Sequence, residues 1–368
     1  MYSYVGWRLI WTLSIPSHYK IILIILIGLF YLFPIITFIL YFNKIENNFS
    51  RIIIWLGYTG LGMISLLFFM QISMDLLSAI NKIIIHKSHF DPQRRAFLGL
   101  SIKGIVGTLG AVGTIWGFYN ATKTPVIKKI AIPIKNLPEA LKGVRLAQIT
   151  DLHASAMITD KFVEKVTKII QKMNPDFLFF TGDAADGSVK SFGKYLTSLS
   201  EIKPTYGKFF VTGNHEYYSD MNGWLRLIEN LGFKILINES QNIVINGKTI
   251  MITGIPDRGG KYFSELHKTD MEKAVGGMSE PDLKILLAHQ PKDIEHAIKY
   301  NFNLQLSGHT HGGQYFPFSL LVQLAHPFIK GLHKKENTWI YINQGTGYWG
   351  PPMRIGTEPE ITEITLTS

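Results

Sequence analysis

From Ile21 to Phe42 the chain carries no charged side chain. A helix needs about 20 apolar residues to cross the hydrocarbon core of a bilayer. In lipid, only helices and closed barrels satisfy their own backbone polar groups. The run is therefore read as a membrane-spanning helix. Ile52 to Met74 is a second uncharged span, and Asp75 at its end reads as a carboxylate solvated in the interface. Phe97 to Tyr119 is a third, richer in glycine and broken by Lys103, whose long stem can carry its charge to the headgroups. Composition agrees: 46% of residues are hydrophobic and mean hydropathy is +0.14, high for a soluble protein. At 368 residues there is room for two modules. These are a membrane region over 1–122 with spans at 21–42, 52–74 and 97–119, and a soluble domain over 144–368, joined by a basic linker over 123–143. Val5–Ile15, interrupted by Arg8, is too short to cross and reads as an interfacial segment or a loose tail.

A net charge of +10 and a pI near 9.4 suit an anionic partner. The apolar spans, and the lack of any nucleic-acid-binding module, favour membrane lipids over nucleic acid. Lys82, Lys87, Arg94 and Arg95 precede the third span, against Lys44 and Arg51 in the loop before. The richer loop is expected to be cytoplasmic, which makes this a multi-pass cell-membrane protein with its soluble domain outside. Lys123, Lys128, Lys129 and Lys135 count against that orientation unless they hold the domain to anionic headgroups. Arg94-Arg95-Ala96-Phe97-Leu98 resembles a twin-arginine export signal, and reads more plainly as a cytoplasmic flank. The absence of cysteine excludes disulfides, thiolate ligands and a cysteine nucleophile.

From about Val144 short apolar runs alternate with amphipathic stretches: 144–150 then 159–173, 177–181 then 189–200, 209–212 then 221–231. The runs read as buried strands and the longer stretches as helices. Asn246-Gly247 between two apolar runs marks a hairpin. Further strands are expected at 283–288, 303–306, 339–343 and 361–366. Strand and helix alternate first and strands dominate later, which gives an α/β domain with more than one sheet.

Residues of metal-ligand type follow five of these strands. Gly308-His309-Thr310-His311-Gly312-Gly313-Gln314 places two imidazoles two residues apart among glycines. Asp151 and His153, Asp183 with Asp186, Asn214-His215-Glu216, and His289 follow the other four. Singly, each has an ordinary reading as a cap, a turn or a satisfied polar group. Together they fit the rule that open α/β sheets gather ligands at strand carboxyl ends.

In this order, Asp-x-His, Gly-Asp-x-x-Asp, Gly-Asn-His-Glu, a later His and Gly-His-x-His resemble the calcineurin-like metallophosphoesterase family. The match runs from about Leu146 to the C-terminus. The His309 loop and Gly350-Pro351-Pro352-Met353-Arg354-Ile355-Gly356 are similar to its bacterial membrane-anchored or exported branch. The resemblance implies a sandwich of two mixed β-sheets flanked by helices. It also implies two divalent metal ions. Asp151, His153 and His311 would hold one; Asn214, His289 and His309 would hold the other; Asp183 would bridge them. His215 would be the catalytic histidine outside the ligand set, with Asp186 orienting it, and Glu216 either helping or shaping the loop. Arg354 reads as a phosphate ligand or a structural ion pair.

Paired cations neutralise an anionic phosphate ester and clamp its attacking and leaving oxygens. Nitrogen and oxygen donors without thiolate suit Mn, Fe, Zn or Ni. Protein serine/threonine phosphatases of the superfamily carry Arg where Gly187 stands, which argues against that substrate class. The expected function is hydrolysis of a phosphate ester, mono- or diester, with a lipid-linked ester among the candidates. Two rivals are a pyrophosphatase acting on a UDP-linked acyl sugar and a non-enzymatic membrane receptor or scaffold on the same fold. Apolar Tyr315–Lys330 either walls the site, dips toward lipid or packs over a sheet, and Trp349 with Pro351 and Pro352 would add a second wall.

Overall fold

Long uncharged runs become helices here, and short apolar runs become strands. The computed structural model describes residues 1–11, 15–84, 92–277 and 280–368. Its contacts divide the chain into two units, residues 1–120 with 350–355, and residues 121–349 with 356–368.

The first unit is helical: α1 (Tyr2–Gly6), α2 (Ser17–Phe42), α3 (Asn48–Ile84) and α4 (Pro92–Thr122). Gly57 and Gly60 let α3 approach α2 closely, because a Cβ on either would run into Phe30, Phe33 or Thr37. Among the described residues, Ser17–Phe42 and Asn48–Ile80 are long and apolar enough to cross a membrane. The third expected span lies within a further helix, α4, which is richer in Gly, Ser and Thr and carries Lys103. The N-terminal stretch is neither loose nor free: Tyr2 and Val5 are buried against Ile64. Asp75, expected to be solvated, pairs with Arg8 and accepts a hydrogen bond from Tyr4. Part of the basic loop that oriented the chain, 85–91, lies outside the described residues. Gly350–Ile355 belongs to this unit, and Arg354 is fully buried there with its backbone N–H on Gly117 O at 2.9 Å.

Among the described residues the second unit contains twelve strands. They are β1 (Val126–Pro133), β2 (Arg145–Ile149), β3 (Phe177–Phe180), β4 (Lys208–Phe210), β5 (Lys234–Ile235), β6 (Glu239–Ile245), β7 (Lys248–Gly254), β8 (Leu283–Leu287), β9 (Leu304–Ser307), β10 (Gly331–Lys335), β11 (Thr338–Ile342) and β12 (Glu360–Thr367). They make two six-stranded mixed sheets, ordered β1-β12-β2-β3-β4-β5 and β10-β11-β9-β8-β7-β6. This is the expected two-sheet architecture. One expectation fails: Val126–Pro133, read as basic linker, is an edge strand parallel to β12. Its Lys128 and Lys129 are exposed, and lysines on an edge strand discourage further pairing.

Strands β2, β3, β4 and β5 run parallel, as do β7, β8, β9 and β11, so each sheet presents its carboxyl ends on one side. Phe177, Phe179 and Phe209 from one sheet meet Ile252, Ile285 and Leu306 from the other in a continuous core. Burying an aromatic ring of this kind is worth about 3–5 kcal/mol against alanine. Helices α5 (Asp160–Met173), α6 (Val189–Phe192) and α8 (Met221–Asn230) pack on the first sheet, and the short α7 (Asn214–Tyr218) follows β4. Helices α9 (Met271–Val275) and α10 (Ile294–Lys299) pack on the second sheet. The helix expected over 189–200 is a short α-helix continued as a 3₁₀ segment, Gly193–Glu201. In the β6–β7 hairpin Asn246 and Gly247 both have positive φ, the type I′ geometry that this dipeptide favours. Helix α11 (Phe318–Ala325) buries none of its residues, so it does not pack over a sheet.

Candidate metal centre

The backbone itself marks this site. Asp151, His153, Asp183, His309 and His311 all have φ between 50° and 72°, in the left-handed region that favours glycine. Each strand therefore ends in an abrupt bend that turns its donor out of the sheet edge. Glycines make room beside them: a Cβ on Gly213 would strike Asp183, and one on Gly308 would strike Asp151 and Thr150.

Among the described residues three donor groups result, and the atoms within each lie within 4.8 Å of one another: Asp151, His153 and His311; Asp183, His289 and His309; and His153, Asp186 and His215. In the first, His311 Nε2 is 3.3 Å from Asp151 Oδ1 and 3.1 Å from His153 Nε2. In the second, His289 Nε2 is 3.2 Å from both Asp183 Oδ2 and His309 Nδ1. Asn214 Oδ1 joins it, 3.0 Å from His309 Nδ1. Asp183 Oδ2 also lies 3.7 Å from His153 Nε2, so this carboxylate touches both the first and the second group. The fold thus brings together all seven residues of the expected ligand set.

Hydrogen bonds fix which nitrogen faces inward. His289 Nδ1 donates to Thr181 O at 2.7 Å, which leaves Nε2 with the lone pair in the neutral ring. His153 Nδ1 lies 3.1 Å from Asp186 Oδ1, with the same effect on its Nε2. Two pairs of ring nitrogens therefore approach to 3.1–3.2 Å around buried carboxylates. Lone pairs so placed repel unless a proton or a cation lies between them, and a nitrogen–oxygen donor set without thiolate suits a divalent ion.

Burial shapes the charges first. It pushes the Asp151 carboxyl up, and it would do the same to Asp183 did His289 and His215 not outweigh it and hold Asp183 well below the usual range. Burial and the neighbouring His289 pull His309 well down, so it stays neutral.

Beside the second group, His215 Nδ1 pairs with Asp186 Oδ1, and the His215 backbone N–H donates to Asp183 Oδ1 at 2.8 Å. Its ring meets Tyr218 and Trp349 edge-on, with centroids 5.2 and 5.8 Å away. Trp349 is held there by its backbone: Gln314 accepts from its N–H at 3.0 Å and donates to its carbonyl at 2.8 Å. Asp186 serves two imidazoles, His153 and His215. Glu216 does not orient His215. It is fully buried and accepts from the N–H groups of Gly213, Asp183 and Ala184 at 2.6–3.0 Å, stitching two loops together. The Gly187 carbonyl accepts from Trp224 Nε1 at 2.9 Å.

Sequence reading missed a sixth strand end. Asp257 follows β7 and is buried. It accepts from Gln290 Nε2 at 2.8 Å and from Gly259 N–H at 2.7 Å, and its own N–H donates to Thr212 Oγ1 at 3.2 Å. The strand-end rule that found the other groups applies to Gly254-Ile255-Pro256-Asp257 as well. Nearby Asp293 is also buried. Neither of its oxygens has a hydrogen-bond partner, and Arg258 Nε lies 3.6 Å away. Burial pushes its carboxyl up to about 7, with Arg258 only partly opposing. A carboxyl raised on folding contributes stability below its unfolded value near 3.8 and loses it as pH climbs toward 7. We expect Asp293→Asn to remove about 1–3 kcal/mol of that decline. Urea midpoints of both proteins at pH 4.5 and 8 would check this, and parallel curves would refute it.

Comparison with known proteins adds a second line. Residues 144–313 match the family model described as calcineurin-like phosphoesterase. A zebrafish "transmembrane protein with metallophosphoesterase domain" is 36% identical, with 70% of this chain and 60% of that protein aligned. An uncharacterized metallophosphoesterase of Helicobacter pylori is 36% identical, with 70% of this chain and 68% of that protein aligned. Another from Aquifex aeolicus is 30% identical over 69% of this chain and 97% of its own length. The chain thus spans less than two thirds of the zebrafish relative.

Proposed function

This chain belongs to the calcineurin-like metallophosphoesterase family, and from that membership we propose that it is a membrane-anchored, metal-dependent phosphoesterase. Its substrate is a phosphate ester, with an ester carried on a lipid as the leading class. The convergence of two buried donor groups that share Asp183 carries the reading. Asp151, His153 and His311 would hold one divalent ion, Asn214, His289 and His309 the other, with Asp183 between them. Bound there, the ions supply charge neutralisation for the phosphate and lower the pKa of water. Mn, Fe, Zn and Ni are the metals that this donor set suits.

The chain's own residues do the rest. Asp186 orients the His215 imidazole and favours its protonated form. His215 then gives a proton to the leaving oxygen as the water oxygen–phosphorus bond forms and the ester oxygen–phosphorus bond breaks; the proton that the water sheds passes to solvent, from which His215 is reprotonated. Trp349 and Tyr218 stand against that ring, so a leaving group at His215 meets aromatic faces. Gly187 withholds the arginine that a protein phosphatase would use. The membrane half is supported by the two membrane-length helices, and the basic loop holding Lys82, Lys87, Arg94 and Arg95 supports a catalytic unit outside the cytoplasm provided that α4 crosses as well.

The test is purified full chain, stripped of metal and reloaded with Mn, Fe, Zn or Ni. It is assayed on a chromogenic phosphodiester, a phosphomonoester and lipid-linked phosphate and pyrophosphate esters. Hydrolysis that appears only on reloading, fastest on a lipid-linked ester, is expected. A pure chain that takes up no metal, or hydrolyses nothing once loaded, would overturn the proposal. Reporter activity fused at Ser368 reads the orientation, and a cytoplasmic signal would favour a UDP-linked acyl sugar as substrate.

A further inference from the structure

Helix α11 is out of keeping with the rest of its unit. Phe318–Ala325 holds no charged residue and buries none. Leu320 and Leu321 are each 52% exposed, Leu324 is 86% and Phe316, just before the helix, 55%. At 100° per residue Leu320, Leu321 and Leu324 share one face, while Ser319 and Gln323 share another. Ser319 faces inward: a Cβ on Gly313 would run into it. The leucine face therefore points away from the body of the unit.

The C-terminal end of this helix is tied to the candidate metal centre. At its start Phe318 stacks on the buried Tyr315, with centroids 5.4 Å apart. At its end the His326 ring stands edge-on to His309 at 5.2 Å, and Thr310 Oγ1 donates to Ile329 O at 2.6 Å. The sequence on either side of the helix is cationic. From Ala297 to Lys335 there is no Asp or Glu, while Lys299, Lys330, Lys334 and Lys335 are present.

We propose that α11 is a bilayer-docking element, which sets Leu320, Leu321 and Leu324 into the surface of an anionic leaflet beside the metal centre. An apolar face flanked by lysines is how interfacial helices bind such surfaces. One eight-residue helix offers far less than the roughly 1,200 Å² that a stable protein interface buries. A lipid surface imposes no such minimum, and a chain with two membrane-length helices is never far from one. Docking there would present a phosphate at the leaflet surface to the donor groups next to the helix. The inference rests on the membrane half of the proposed function and not on the hydrolysis.

The absence of cysteine makes the test direct. Leu324→Cys in the full chain, labelled with an environment-sensitive fluorophore, is reconstituted into phosphatidylcholine–phosphatidylglycerol vesicles. Position 324 is so exposed that the label leaves the fold intact. Blue-shifted emission is expected, with about half of it lost when the vesicles carry nitroxide-labelled lipid, because interfacial helices sit about 5–10 Å deep. Emission that stays aqueous and ignores the nitroxide lipid, with the chain incorporated, would overturn docking alone. Self-quenching with no lipid quenching would replace the bilayer with a second copy as the occupant. Failure of the chain to enter vesicles would overturn the membrane placement and docking together.

Discussion

Asp183→Asn is expected to fold and to lose at least about a hundredfold in hydrolysis of any phosphate ester the chain accepts. The expectation comes from its position. Its oxygens reach His289 at 3.2 Å and His153 at 3.7 Å, one in each of the first two donor groups. Asparagine keeps an oxygen to accept the His215 backbone N–H, so the loop geometry survives. What goes is the negative charge that two cations would share. A ligand present at a hundred times its Kd adds about 2.7 kcal/mol to a folded protein, or about 5–10 °C in thermal midpoint for a unit of this size. Added metal should produce that shift in the parent chain and little or none in the variant. Equal shifts, or undiminished activity, would remove Asp183 from the centre of the site.

His215→Ala should cost about 10²–10⁴ in rate with metal saturating, the usual range for a lost acid–base group. Asp186→Asn should cost less and change the pH profile. Burial pulls the His215 imidazole down, but Asp186 and Asp183 outweigh it and raise it to about 9. If His215 acts as the acid, activity falls as pH rises through that titration. Removing the Asp186 charge lowers it, so the alkaline limb should move to lower pH. Metal must be kept saturating, because Asp186 also steadies His153 and such supporting contacts are worth about 10–100-fold in metal affinity. A limb that stays in place would assign it to another group.

The donor groups were legible because ligand chemistry at a strand end is a local signal. Asp151 and His153 stand next to an apolar run, and so do His309 and His311. The hairpin was legible for the same reason, since Asn246-Gly247 specifies its own turn. Strand β1 was not. Its partner, β12, begins at Glu360, and nothing within 126–133 foretells a parallel pairing across that separation. A pair of lysines in mid-run made it look like linker. The 3₁₀ segment 193–201 follows from tertiary packing of Tyr195, Leu196 and Leu199, not from propensity. Glu216 was legible only as a choice, since a carboxylate beside a histidine can orient the ring or shape the loop. Three backbone N–H groups from two loops claim its oxygens.

The five left-handed donors carry an evolutionary consequence. Each holds a strained main chain at a cost of about 1 kcal/mol, and glycine at any of them would relieve it while deleting a candidate donor atom. Thermal resilience and chemistry therefore pull these codons in opposite directions. A lineage released from the need for catalysis would drift toward glycine or asparagine at 151, 153, 183, 309 and 311 before it eroded the aromatic core beneath them.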